Sequence, residues 1–309
     1  MPPLIVVDWG TTNFRAYLVE HGVCQDDVQA PDGLLNIQGD YAKALNAHIG
    51  HWLQGQTPTP ILLSGMVSSP NGWIEVAHVE CPANAEKLAR RAYQIEDFNQ
   101  GKTWIIPGLS ATGMSGQFDV MRGEEIQYFG AKRIVEAENL APADAFCFPG
   151  THNKWINATD SFELEQFSTS MTGELFALLS GHSLLSKSMN TQGPWQENAF
   201  LQGLNNSGSK GGIMHQLFTV RSLQLSGAHT IDDGEAYLSG LLIGSEIRSI
   251  LQSEVAEKAA NIAVVGSDEL TRRYKSAIEH LGYSAFIIDA QAATISGALE
   301  VAKHLNHQV

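Results

Sequence analysis

The segment Asp8-Trp9-Gly10-Thr11-Thr12-Asn13-Phe14-Arg15 holds the residue types best arranged for chemistry. A tight turn of glycine and small hydroxyl residues directs backbone N–H groups into one concavity, a shape that suits phosphate oxygens. Gly10, Thr11, Thr12 and Asn13 are therefore candidate phosphate binders. Asp8, closing the apolar run before the turn, is a candidate Mg²⁺ ligand, directly or through water. The same residues also make an ordinary hairpin turn. Pro149-Gly150-Thr151-His152-Asn153-Lys154-Trp155 presents a second Gly-Thr turn, with Gly150 and Thr151 in the corresponding places. Two such turns, one in each half of the chain, can grip a phosphate chain from both sides of a cleft. Ala263-Val264-Val265-Gly266-Ser267-Asp268 is an apolar strand running into a Gly-Ser turn that opens a helix, where a base or phosphate can approach the backbone. Val120-Met121-Arg122-Gly123-Glu124-Glu125 sets an arginine beside two carboxylates at a helix start. Glutamates there compensate the helix dipole. Equally, Arg122 can bind a substrate acid while a glutamate accepts a proton.

Positioning these residues requires a particular set of elements. Apolar runs at 4–7 and 14–19 flank the first turn and predict a β-hairpin. A third strand follows Gly22, a helix covers 42–53, and strands are expected at 61–63 and 103–106. A long helix is expected over 124–140. The strand 145–148, the second Gly-Thr turn, a strand at 155–158 and an alternating strand at 162–167 then repeat the opening pattern. Helices are expected at 173–185 and 233–251. A strand–turn–helix spans 262–281, a strand covers 285–288, and the last helix runs over 292–305. The Ser- and Gly-rich stretch 205–212 reads as a loop. Small residues at 110–116 mark the expected domain boundary.

The 309 residues suffice for about two domains. With 43% hydrophobic residues the chain can fill full-sized cores, which excludes disorder and a disulfide-stapled miniprotein. A formal net charge of −14 repels nucleic-acid backbones. It leaves room for one small phosphorylated ligand held by amides and Mg²⁺. Cys24, Cys81 and Cys147 are odd in number and widely spaced, which fits a reducing compartment. No basic leader opens the sequence and no apolar run reaches membrane-spanning length, so the expectation is a cytoplasmic protein with no membrane partner. Gly101-Lys102-Thr103 lacks the first glycine and the following helix of a phosphate-binding Walker loop. The pairs His48/His51 and His304/His307 have no accompanying acidic or cysteine ligands and read as solvated helix faces.

In this order the motifs resemble the sugar kinase/actin/Hsp70 superfamily. Within it they look like the 2-dehydro-3-deoxygalactonokinase family. The resemblance rests on Asp8-Trp9-Gly10-Thr11-Thr12-Asn13, Ser64-Gly65-Met66-Val67, Trp104-Ile105-Ile106-Pro107-Gly108, Val120-Met121-Arg122-Gly123-Glu124-Glu125, Pro149-Gly150-Thr151-His152-Asn153-Lys154-Trp155, Met171-Thr172-Gly173-Glu174-Leu175 and Leu238-Ser239-Gly240-Leu241-Leu242-Ile243-Gly244. It implies two ribonuclease-H-like (actin-like ATPase) α/β domains with mixed sheets flanked by helices and the active site in the interdomain cleft. Residues 1–116 would form the sugar- and phosphate-binding domain and 117–309 the nucleotide-binding domain, with the last helix (about 292–309) a candidate to pack near the first. It further implies ATP and Mg²⁺ as cofactors and phosphorylation of 2-dehydro-3-deoxygalactonate at its C6 hydroxyl. A kinase for another sugar acid or polyol, or a non-catalytic sugar sensor, is the alternative, and a homo-oligomer is left open. Gly266 and Ser267 correspond to the adenosine turn. Related glycerol-type kinases place an aspartate where this chain has Glu124, so Glu124 is the expected proton acceptor, with Glu125 and Asp8 as rivals. Met66, Trp73, Arg122 and Met171 are the expected substrate-pocket residues.

Overall fold

The computed structural model describes residues 3–37, 39–55, 58–159, 161–251 and 261–305. Two compact units emerge. One comprises Met1–Ala141, Thr159–Phe167 and Ile288–Val309, and the other Pro142–Ala158 and Ser168–Ile287.

In the first unit, β1 (Leu4–Trp9) and β2 (Phe14–Glu20) form the expected antiparallel hairpin, and β3 (Val23–Ala30) extends it. Next comes α1 (Tyr41–Ile49), whose N-cap Asp40 accepts from the Lys43 amide. The chain continues through β4 (Ile61–Gly65), β5 (Val79–Glu80), α2 (Ala85–Arg91), β6 (Tyr93–Gln94), β7 (Thr103–Ile105), β8 (Leu109–Thr112), β9 (Phe118–Met121) and α3 (Glu124–Ala137). The main sheet has the order β3-β2-β1-β4-β7-β6, with β1, β4 and β7 parallel. The run Leu4–Val7 is wholly buried because a parallel strand in mid-sheet is covered on both faces. A smaller sheet has the order β5-β8-β9.

The second unit contains β10 (Ala145–Phe148), β11 (Asn153–Asn157), β12 (Phe167–Ser170), α4 (Thr172–His182), α5 (Glu197–Asn206), α6 (Gly212–Leu225), α7 (Asp233–Leu251), β13 (Asn261–Val265), α8 (Glu269–His280) and β14 (Ser284–Ile288). Its sheet has the order β12-β11-β10-β13-β14. Here again an antiparallel hairpin, β10–β11, is joined by a parallel strand, β13. The final helix, α9 (Ala290–Leu305), belongs to the first unit. Both units thus have the expected class, a mixed sheet with helices. No helix among the described residues is long and apolar enough to cross a membrane.

Several expectations need correction. The boundary expected at 116/117 falls at 141/142. Residues 109–121 form the β8–β9 hairpin rather than a break, and α3 packs on α9. That crossing is a backbone contact: a Cβ on Gly130 would lie 1.8 Å from the Ala293 carbonyl, and one on Gly297 1.8 Å from the Ile126 carbonyl. In the second unit α5 and α7 cross in the same way at Gly203 and Gly240. The strand expected at 162–167 is absent except for Phe167, because Leu164 instead exchanges two backbone hydrogen bonds with Ala83. The loop expected at 205–212 is only the short connection between α5 and α6. His307 lies outside the described residues, and His48 stacks on Phe14 with ring centroids 4.4 Å apart.

Candidate active site

Asp8 stands at the end of β1, opposite Arg15 of β2 and Ser64 of β4. Its Oδ2 pairs with Arg15 Nη1 at 3.3 Å, a cross-strand ion pair dictated by the hairpin register. Two glycines clear the space beside Oδ1. Gly65 (φ 89°) would carry a Cβ 3.2 Å from that oxygen, and Gly123 (φ 111°) one at 3.8 Å. Positive φ at both positions is the backbone state glycine tolerates best. Burial pushes the Asp8 carboxyl above its ordinary value, Arg15 opposes that, and the neighbouring Glu124 carboxylate reinforces it. The turn itself is braced from behind. The carbonyls of Gly10, Thr11 and Thr12 accept from the amides of Leu34, Leu35 and Gly33, while Thr11, Thr12 and Asn13 stay exposed.

Gly123 caps α3, and the two glutamates that follow have different surroundings. Glu125 is fully buried; its Oε2 accepts from the Gly123 amide at 2.7 Å, and its buried Oε1 has no hydrogen-bond partner. Burial first, and the Glu124 charge second, push its carboxyl up to about 8. Glu124 is half-buried, in electrostatic contact with both Asp8 and Glu125. Arg122 is half-buried and anchored: Nη1 donates to Ser68 Oγ at 2.7 Å and Nη2 to the Val76 carbonyl at 3.1 Å. That anchor ties it to the segment bearing Met66 and Trp73, both half-buried at the rim of the core. Asp8, Met66, Trp73, Arg122 and Glu124 all belong to the first unit, whereas Met171 is an exposed residue of the second, at the N-cap of α4.

The second hairpin is organised by a carboxylate that nothing in the local sequence announces. Glu246 of α7 is buried, accepting from Asn153 Nδ2 at 2.9 Å, Trp155 Nε1 at 2.5 Å and Tyr274 Oη at 2.7 Å, with a further bond from Thr172. Asn153 in turn accepts, through Oδ1, from the Gly150 amide at 2.6 Å. The network therefore sets the conformation of the Gly-Thr turn. Beside that turn lies a cavity of about 340 Å³, bordered by Gly150, Thr151, Thr172, Phe176, Leu242, Arg273 and Tyr274 among others. Gly266 and Ser267 are not among the described residues lining it. The helix they lead into is, through Leu270, Arg273 and Tyr274. Asp268 caps that helix, accepting from the Thr271 amide at 2.9 Å.

The sequence model of the 2-keto-3-deoxy-galactonokinase family matches residues 8–301. The chain belongs to that family. It is 34% identical over 302 residues to the 2-dehydro-3-deoxygalactonokinase of Escherichia coli K12, covering 96% of this chain and 97% of that one. A crystal structure of a 2-dehydro-3-deoxygalactonokinase-family protein from Sinorhizobium meliloti superimposes with a TM-score of 0.85 at 30% identity, covering 97% of this chain and 96% of that one. The activator of 2-hydroxyisocaproyl-CoA dehydratase from Clostridium difficile, solved with bound ADPNP, shares the fold at a TM-score of 0.53 and 12% identity, covering 99% and 97%.

Membership of a kinase family implies ATP as the phosphoryl donor. Against that background, Glu246, Thr172, Tyr274 and Arg273 are the residues sequence reasoning missed. Glu246 lies within the apolar helix α7, Thr172 opens α4, and Arg273 and Tyr274 lie within the polar helix α8. Among the described residues no cluster of three or more His, Cys, Asp or Glu is arranged to hold a metal ion.

Proposed function

We propose that the chain transfers the γ-phosphoryl group of ATP to the C6 hydroxyl of 2-dehydro-3-deoxygalactonate. The observation that carries this reading is the pair of carboxylates, Asp8 and Glu124, beside a space kept clear by Gly65 and Gly123 and next to a turn whose Thr11, Thr12 and Asn13 are exposed. Phosphoryl transfer depends on positioning and charge neutralisation more than on covalent chemistry. A carboxylate oxygen flanked by two glycines fits Mg²⁺, which is commonly held by one or two carboxylates and completes its shell with water and phosphate oxygens. Asp8 would hold that ion, and the ion would neutralise phosphate charge. The amides of 10–13 and of Gly150-Thr151 are the proposed phosphate donors, with Gly266 and Ser267 near the nucleoside. Glu124, half-exposed where Glu125 is sealed, is the proposed acceptor of the C6 hydroxyl proton, a role that contributes roughly 10²–10⁴-fold.

Arg122, held by Ser68 and Val76, would pair with the substrate carboxylate, and Met66, Trp73 and Met171 would shape the sugar site. Free thiols at Cys24, Cys81 and Cys147 suit a cytoplasmic location. The test is ADP release by the purified chain with Mg·ATP and a panel of sugar acids. Release that depends on 2-dehydro-3-deoxygalactonate above its stereoisomers supports the reading. Equal release without any sugar acid refutes it.

A further inference from the structure

We propose that Arg273, backed by Trp195, is the platform on which the nucleobase of the phosphoryl donor stacks, making it a determinant of nucleotide affinity. The inference rests on the proposed kinase reading and goes beyond it by naming the residue that would recognise the base. The Arg273 guanidinium lies over the Trp195 ring, 3.5 Å from its centroid. The ring is itself fixed: its Nε1 donates to Glu197 Oε2 at 2.9 Å, and it packs on Phe200 with centroids 5.4 Å apart. Arg273 also borders the cavity beside the Gly150-Thr151 turn. A planar group is thus held against an aromatic ring while taking part in the wall of a ligand-sized space.

The surroundings of Arg273 argue for a flat ligand rather than an anion. The carboxylates of Glu197, Glu235, Asp268 and Glu269 all act on its charge. Four acids around one guanidinium leave little net attraction for a phosphate. What remains is a delocalised plane. A purine offers the complement, a π-face that stacks on that plane. The rest of the wall agrees. Phe176, Leu242, Ile243 and Leu270 are apolar, and the polar Gly-Thr turn is the part of the border suited to phosphates.

Titration calorimetry of the full chain with ADP, together with steady-state kinetics, tests this. Arg273→Ala should weaken ADP binding about five- to a hundredfold, the range that base stacking supplies. The kcat at saturating ATP and the KM for the sugar acid should stay within twofold, because stacking is the same in ground and transition states. Arg273→Lys keeps the charge and most of the stem but loses the plane, and it covers the case in which alanine impairs folding. It should weaken ADP binding nearly as much. Lysine restoring wild-type ADP affinity overturns the proposal, since charge alone would then suffice. A kcat falling in step with ADP affinity also overturns it, by placing Arg273 on the phosphates. Failure of the kinase reading looks different: the wild-type chain binds ADP but shows no sugar-acid-dependent turnover. Wild-type protein that does not bind ADP at all overturns both.

Discussion

Replacing Glu125 by glutamine removes a sealed ionisable group while preserving its shape and its hydrogen bond to the Gly123 amide. The consequence is a change in how stability depends on pH. In the folded chain the Glu125 carboxyl titrates at about 8, against an ordinary value of 4.5. Below 4.5 the group is protonated in both states and stability is at its full value. Between 4.5 and about 8 the unfolded chain releases the proton while the folded chain keeps it, so folding becomes progressively less favourable. At 1.36 kcal/mol per pH unit the wild-type protein loses about 5 kcal/mol across that interval. Glu125→Gln should abolish this loss. A buried amide N–H₂ without a partner costs about 1–3 kcal/mol at every pH. The variant should therefore be the less stable protein at pH 5 and the more stable one at pH 8. Urea denaturation at pH 5, 6, 7 and 8 reads the crossing directly. Asp8, also raised by burial, contributes equally to both proteins and cancels in the difference. Parallel curves for wild type and variant would refute the placement of Glu125 as a buried neutral acid. Turnover supplies the second arm. A sealed Glu125 cannot reach substrate, so Glu125→Gln should keep kcat within about threefold at pH 6, while Glu124→Gln should lower it by roughly 10²–10⁴-fold. The reverse pattern would move the proton acceptor by one residue.

Asp8→Asn should lower kcat by more than about 100-fold without loss of helix content by circular dichroism; near-normal turnover at saturating Mg²⁺ would remove Asp8 from the phosphate site. Gly130→Val should destabilise the first unit by at least about 1–3 kcal/mol, because the α3–α9 crossing leaves no room for a Cβ. Gly181→Ala in α4, where nothing lies within 4 Å, should be neutral or stabilising, and equal melting temperatures for the two variants would refute the crossing. Glu246→Gln inserts a donor among the donors of Asn153, Trp155 and Tyr274, and should weaken ADP binding about tenfold with the sugar-acid KM unchanged. Unaltered ADP affinity in a destabilised protein would leave Glu246 a purely structural residue.

What the sequence discloses about this molecule depends on how far apart the cooperating residues lie. Both hairpins are legible because a Gly-Thr turn between two apolar runs is a local statement, completed within about a dozen residues. The start of α3 is legible for the same reason. Helices α5 and α6 are not. In α6, Met214, Phe218 and Leu225 remain exposed and only Gln216 and Val220 are buried, so no apolar stripe marks the helix. The division into units is hidden in pairs of glycines such as 130 and 297, each unremarkable until the two helices cross. The same holds for the site. Asn153 and Glu246 are 93 residues apart, and the bond between them, not either residue type, is what arranges the second turn. Glu124 and Glu125 show the limit most sharply. They are the same residue type at adjacent positions, and only the roughly 100° rotation per residue of the helix separates them. That rotation seals the Glu125 carboxyl and leaves Glu124 half-buried in electrostatic contact with Asp8, a difference set by where each residue packs and by no feature of the two residues themselves.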